Sequence, residues 1–412
     1  MKIDELIKEA KEELGELFAY YDEVALFNQE KVLNAFRKNR VALRHFGGTN
    51  GYGYDDIGRD TLNKVYASAF GTEDAIVSPS FANGTHTIST CLYGLLRPGD
   101  TIVSLSGMPY DTLQEVILGE NNGSLKDYGV SFDKVDLTNR GGFDFDAIKE
   151  RLQKPHTILF VQRSRGYSWR DAFLIEDIKE LVSFVRQISD APIVMDNCYG
   201  EFTQKQEPTE VGVDVVMGSL IKNPGGGLAP TGGYIAGKRD LIEKISYRLT
   251  VPGIGREVGS YEMGYRLFYQ GLFLAPHVTV QAIKAALTFA AVFRNLGYDA
   301  LPRGGQKCGD IICSIKFDTA EQLIAFVQSV QGASPIDSFV TPYPWDMPGY
   351  AHQVIMAAGT FVQGASIELS ADSPIKAPYI AYVQGGLTYE HALIALKDCL
   401  AKICHNQGLF RE

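Results

Sequence analysis

Between Ala75 and Ala236, short apolar runs alternate with helix-length segments, and this alternation restricts the fold more than any other feature of the chain. Ala75–Val77, Thr101–Leu105, Thr157–Val161, Ile193–Met195, Val213–Met217 and Tyr234–Ala236 read as strands. Thr85–Leu96, Thr112–Leu118, Phe145–Gln153 and Glu176–Ile188 read as the helices between them. Short strands that are apolar throughout belong to a sheet covered on both faces. With helices between them they predict an α/β fold on a mostly parallel sheet. Such sheets hold their ligands at the carboxyl ends of the strands.

The flanks differ in character. Ile3, Leu6, Ile7, Ala10, Leu14, Leu17 and Phe18 recur at helical spacing, which predicts helix over residues 2–37. Phe46 to Arg59 carries too many glycines, interleaved with tyrosines, to be a regular element and reads as a loop, and a helix follows over Asp60–Phe70. After a long helical region, Tyr261–Leu296, the strands Asp310–Phe317 and Ser366–Leu369 and the helices Ala320–Val330 and Tyr389–Cys404 suggest a smaller α+β part. The 412 residues suffice for two or three units. The expected division is an N-terminal helical arm over 1–45, a large domain over 46–295 and a small C-terminal domain over 296–412.

The formal charge of −10, with no basic patch, argues against a nucleic-acid partner. No apolar run approaches the ~20 residues that cross a bilayer. Met1 to Glu16 has neither the apolar core nor the cleavage site of a signal peptide, so a cytoplasmic location is expected. Cys91, Cys198, Cys308, Cys313, Cys399 and Cys404 form no C-x-x-C pair, and His405 beside Cys404 makes no zinc spacing. They read as buried hydrophobes or free thiols, and no metal is expected.

Strand ends carry the chemistry. Val213 to Met217 leads into Gly218-Ser219-Leu220-Ile221-Lys222, followed by Asn223-Pro224 and three glycines. Burial at such a position lowers a lysine's pKa and frees its amine to attack a carbonyl, such as the aldehyde of pyridoxal phosphate. Ile193–Met195 ends in Asp196, a carboxylate suited to keep a pyridine nitrogen protonated. Ala75–Val77 is followed by Gly84-Thr85-His86 at a helix start, where backbone N–H groups and the dipole favour a phosphate. Each has a plainer reading: a surface lysine, a turn-capping aspartate, a helix cap. Their succession, each closing a strand, is far more specific than any one of them.

That order resembles the fold-type I pyridoxal phosphate enzymes, the aspartate aminotransferase superfamily, and within it the cystathionine lyase and methionine γ-lyase branch. It is most similar to the aluminium resistance protein/methionine γ-lyase family. The residues carrying this closer likeness are Gly51 to Asp60, Gly84 to His86, Pro109 to Leu113, Gln162 to Tyr167 and Gln384 to Glu390. The likeness runs from about residue 40 to the C-terminus. It implies an aspartate aminotransferase-like large domain with a mostly parallel seven-stranded sheet, and a smaller C-terminal α+β domain.

For the site, the resemblance implies a Schiff base between Lys222 and pyridoxal 5'-phosphate, with Lys222 also moving the Cα proton. Asp196 would pair with the ring nitrogen, and Gly84, Thr85 and Ser219 would bind the phosphate. Tyr110 would stack on the ring, with His86 as a rival or second contact and Ser164 near the phenolic oxygen. Tyr54 resembles a tyrosine that reaches a neighbouring subunit's phosphate, which implies a homodimer or homotetramer with shared sites. Two departures stand out. The arginine expected two residues after that tyrosine is Asp56, with Arg59 the nearest substitute. The arginine that clamps the substrate carboxylate aligns with Tyr382, leaving Arg163, Arg165 and Arg256 as candidates.

The activity expected is that of a carbon–sulfur lyase on a sulfur amino acid, a small-molecule substrate. Retro-aldol cleavage or transamination with the same cofactor is the alternative, as is a regulatory pyridoxal-binding protein with little turnover. A dinucleotide site on Gly225–Gly227 or Gly232-Gly233 fits poorly, since no G-x-G-x-x-G follows the first strand.

Overall fold

The computed structural model describes residues 3–347 and 350–405, with side chains through residue 402. The chain opens with helices α1 (Ile3–Glu13), α2 (Gly15–Lys38) and α3 (Ile57–Ala69). It then alternates: β1 (Asp74–Ser78), α4 (Gly84–Leu95), β2 (Thr101–Ser104), α5 (Asp111–Leu118), β3 (Ser131–Lys134) and α6 (Phe145–Arg151). β4 (Ile158–Gln162), α7 (Ile175–Val185), β5 (Ile193–Asp196), β6 (Val215–Ser219), β7 (Gly233–Gly237) and α8 (Arg239–Leu249) complete the first half. After α9 (Arg266–Asn295) come β8 (Ala300–Leu301), β9 (Ile312–Phe317), α10 (Ala320–Gly332) and β10 (Val354–Ala357). β11 (Ser370–Pro374), β12 (Tyr379–Gln384) and α11 (Tyr389–His405) close the fold.

The first sheet has seven strands in the order β1-β7-β6-β5-β4-β2-β3. β3, β2, β4, β5 and β6 run parallel, and β7 is antiparallel to both β6 and β1. This is the fold-type I sheet. β4, β5, β6 and β7 are buried at every residue, as a sheet with helices on both faces requires. β3, at the edge, alternates exposed and half-buried residues, which is why its Ser-Phe-Asp-Lys sequence did not predict a strand.

Two cores flank this sheet. One collects β-strand residues with α3, α7 and the first part of α9; the other packs α4, α5 and α8 on the opposite face. A third core joins α1, α2, the rest of α9 and the second sheet, whose strand order is β10-β11-β12-β9-β8. The strand expected at Ser366–Leu369 does not form. Strands lie on either side of it instead, at β10, β11 and β12, and all the pairings in this sheet are antiparallel.

α9 serves two cores at once. Its 30 residues include an 18-residue stretch of mean hydropathy 1.3, long and apolar enough to span a bilayer by composition alone. In the fold 72% of that stretch is buried against protein, which makes α9 a core helix. Cys91, Cys198, Cys308, Cys313 and Cys399 are free and buried; the side chain of Cys404 lies outside those described.

Candidate active site

The carboxyl ends of the central strands open onto a cavity of about 710 Å³. Asp196 ends β5, Ser219 ends β6, and Lys222 follows one turn later; all three line the cavity. α4 starts at Gly84 because Asn83 caps it, its Oδ1 accepting the His86 N–H at 2.8 Å. Gly84 and Thr85 therefore point the first turn of α4 into the same space. Tyr110 and Ser164 line it too. The Tyr110 hydroxyl lies 2.9 Å from Thr85 Oγ1, and its N–H donates to Gln162 Oε1 at 3.0 Å.

These residues fit a phosphorylated cofactor. The Ser219 hydroxyl is buried with no hydrogen-bond partner, a cost that a bound anion would remove. A Cβ placed on Gly84 would lie 3.4 Å from the Ser219 Cβ and 3.7 Å from the Cys198 Sγ, so the helix start, the orphan hydroxyl and the β5 turn converge. Asp196 accepts the Cys198 N–H at 3.0 Å, and burial lifts its pKa, offset in part by the Lys222 charge.

Lys222 departs from the expectation that burial alone sets its pKa. Burial does pull the ammonium down, but the surrounding groups Cys198, Tyr199, Asp196 and Tyr110 hold it well above the usual lysine range. Cys198 and Tyr199 are themselves pushed up by burial and stay neutral at pH 7, so Asp196 is the anion that matters there. The Lys222 Nζ also lies 4.1 Å from the centroid of the Tyr199 ring. Behind the lysine, Gly226 adopts φ 54°, and a Cβ there would come within 2.3 Å of the Gly271 carbonyl on α9. The glycines thus let the lysine loop lie directly on the helix shared by the cores.

The arginines proposed as carboxylate clamps are occupied. Arg163 does not line the cavity; it is fully buried and donates to the carbonyls of Phe173 and Gly200 and to Asn197, Thr203 and Gln204. It holds the turn after β5 together. Arg165 does reach the cavity wall, but its Nε and Nη2 grip Asp310 at 3.1 Å each. Arg256 pairs with Asp74 at 2.5 Å, outside the residues that line the cavity.

His86 is exposed and outside the lining; its Nδ1 accepts the Ala82 N–H at 3.1 Å, and its ring meets Phe81 edge-on. Arg59 is buried, bonded to Asp60 and to the carbonyls of Gly53 and Gly259, and so shapes the glycine-rich loop from within. Asp56, in the place of an expected arginine, caps α3 and accepts from the Tyr265 hydroxyl at 2.9 Å. Tyr54 is 61% exposed beside Tyr52 at 75%.

Sequence reasoning missed part of the lining. Tyr199, three residues after Asp196 with φ 70°, packs under the lysine, and its hydroxyl receives a bond from Ser366 Oγ at 3.3 Å. Its place just after the strand-ending aspartate was the available signal. Tyr167, Asp372 and Gln384 form the wall on the second sheet's side, where β11 offered no apolar pattern to find it.

Residues 3–404 match the family model for methionine gamma-lyase. The chain belongs to that family. It is 49% identical to the uncharacterized protein YnbB of Bacillus subtilis, over 97% of this chain and 96% of that protein. It is 50% identical to a carbon-sulfur lyase involved in aluminum resistance from Clostridium novyi, with TM-score 0.93 over 97% of this chain and 96% of the other. The pyridoxal-5'-phosphate dependent protein YhfS of Escherichia coli shares the fold at 17% identity, with TM-score 0.62 over 92% of this chain and 97% of that one.

Proposed function

We propose that this methionine gamma-lyase family member is a pyridoxal phosphate-dependent carbon–sulfur lyase acting on a sulfur amino acid. The observation that carries the reading is the convergence of Gly84, Ser219, Asp196 and Lys222 on one cavity, with the Ser219 hydroxyl left without a partner. When bound, the cofactor supplies a ring that withdraws electrons from the substrate's Cα. Lys222 would anchor it through its amine and carry the substrate's Cα proton. Asp196 would pair with its ring nitrogen. Gly84, Thr85 and Ser219 would hold its phosphate, with Tyr110 and Ser164 beside them in the cavity wall. The substrate's carbon–sulfur bond would break with the protonated thiol as leaving group, and addition of one water would release ammonia and a 2-oxo acid.

The active unit is a homo-oligomer in this reading. Tyr54 and Tyr52 project from a loop kept in shape by Arg59, and their exposure suits contact with a second copy. Mixed oligomers of Tyr54→Phe and Lys222→Ala chains are expected to recover activity that neither variant has alone. Mixed oligomers without recovery would remove the shared site.

The decisive test of the central assignment is borohydride treatment of the yellow holoprotein, followed by mass spectrometry of its peptides. The reduced cofactor should be found on Lys222, and Lys222→Ala should carry none. Formation of 2-oxo acid and thiol from cystathionine, cysteine or methionine tests the lyase assignment; an aldehyde with glycine would replace it with an aldolase.

A further inference from the structure

The charged residues in the cavity wall are Asp111, Arg165, Asp196, Lys222, Asp372 and Lys376. The cations among them differ in their commitments. Arg165 grips Asp310 through two donors at 3.1 Å each. Lys222 lies 4.1 Å from the Tyr199 ring centroid and, in the reading above, gives its amine to the cofactor. The Lys376 side chain makes no ion pair and no hydrogen bond among the described residues.

The second sheet brings Lys376 to the cavity. Ser370 and Asp372 stand two apart on β11, share a face and line the wall. Lys376 follows the end of β11 by two residues, at an even offset from both, in the turn that leads to β12. Its N–H donates to the Pro374 carbonyl at 3.0 Å, and the residue is exposed yet lines the cavity. A lysine stem is long and flexible, so an ammonium rooted in an outer turn can reach inward to a point of negative charge. The acid of the same wall is already served. Asp372 accepts from the Tyr167 hydroxyl at 2.7 Å and from Gln384 Nε2 at 3.4 Å, and Lys222 acts on it through space.

An amino-acid substrate brings a carboxylate into this space. With no cation to meet it, that anion would lose water among the acids Asp111, Asp196 and Asp372 without compensation. We propose that Lys376 binds the α-carboxylate of the substrate and thereby restricts the site to free α-amino acids, against amines and amides with the same side chain. The proposal rests on the pyridoxal phosphate reading above, which commits Lys222 to the cofactor, and is independent of which bond is then broken. An amine or an amide leaves Lys376 without an anion, so the discrimination comes from a charge that only the free acid can meet.

The test uses the holoprotein and two ligands without sulfur, L-norleucine and L-norleucinamide, with binding read from the change in cofactor absorbance. The preference for the acid over the amide is expected to be about fivefold greater in wild type than in Lys376→Ala, or ~1 kcal/mol, the upper range for a partly exposed ion pair. Lys376→Arg keeps the charge and should stay within about twofold of the wild-type ratio. Lys376 is exposed in a turn, so Lys376→Ala should melt as wild type does. An unchanged ratio in Lys376→Ala overturns the proposal, whether both ligands keep their affinity or lose it equally. Failure to release thiol from sulfur amino acids, with the Lys376 effect intact, would remove the lyase reading alone. A protein that takes up no pyridoxal phosphate would remove the reading of the cavity, and this proposal with it.

Discussion

The Lys222 ammonium sits over the face of Tyr199, 4.1 Å from the ring centroid. A ring in that position stabilises the charged lysine by ~1 kcal/mol or more when water is excluded. Attachment of the cofactor needs the neutral amine, so the ring slows it at neutral pH. In cofactor-free protein at pH 7, Tyr199→Leu should accelerate attachment by about fivefold. Tyr199→Phe keeps the ring and should stay within about twofold of wild type. Stopped-flow absorbance after addition of pyridoxal phosphate measures both.

Ser219→Ala should separate folding from binding. The hydroxyl is buried and unpartnered, so its removal leaves the melting temperature of cofactor-free protein unchanged or raises it. Affinity for pyridoxal phosphate should fall by about 10- to 100-fold, the cost of one hydrogen bond to a charged group at ~1.5–3 kcal/mol. Equilibrium titration and calorimetry of the same preparation provide the two readings.

Arg165 and Asp310 tie the loop after β4 to the start of β9 through a fully buried bidentate pair. Removing one partner strands the other charge, so Asp310→Ala should cost ~3–5 kcal/mol in denaturant unfolding. Arg165→Lys should be clearly destabilising as well, because an ammonium cannot supply two parallel donors.

Glu201 sets a pH dependence of stability. Its side chain is buried beside the strand that leads to Lys222, accepts from the Tyr234 hydroxyl at 2.8 Å and is pushed up to about 8. The folded state therefore holds a proton that the unfolded chain releases near its usual 4.5. This contribution is full below the unfolded value and is lost as pH rises through the folded one. Glu201→Gln, which mimics the neutral acid, should gain stability relative to wild type between pH 5 and pH 8. Melting curves across that range would show the difference growing; a constant offset would contradict it.

Much of the first sheet was legible in the sequence because its central strands are buried at every residue, leaving short apolar runs that helices interrupt. Asp196 and Lys222 were legible for the same reason: polar groups just past such runs have few places to go but the ligand side. The second sheet was not. Ser370–Pro374 contains serine, aspartate and proline, and it is a strand because β10 and β12 pair with it on either side. The arginines misled because a sequence displays a cation without its counterion. Asp310 lies 145 residues from Arg165, and no local pattern announces that they meet.

The contact between Gly226 and Gly271 has a mechanical consequence. The loop that carries Lys222 rests without intervening side chains on α9, and α9 is also built into the core of the second sheet. A rotation of that sheet by even a small angle about α9 would be felt as a displacement at the lysine, since two backbones in van der Waals contact have no side chain between them to absorb it. The reactive amine and the wall that holds Asp372 are thus geared to a single shaft.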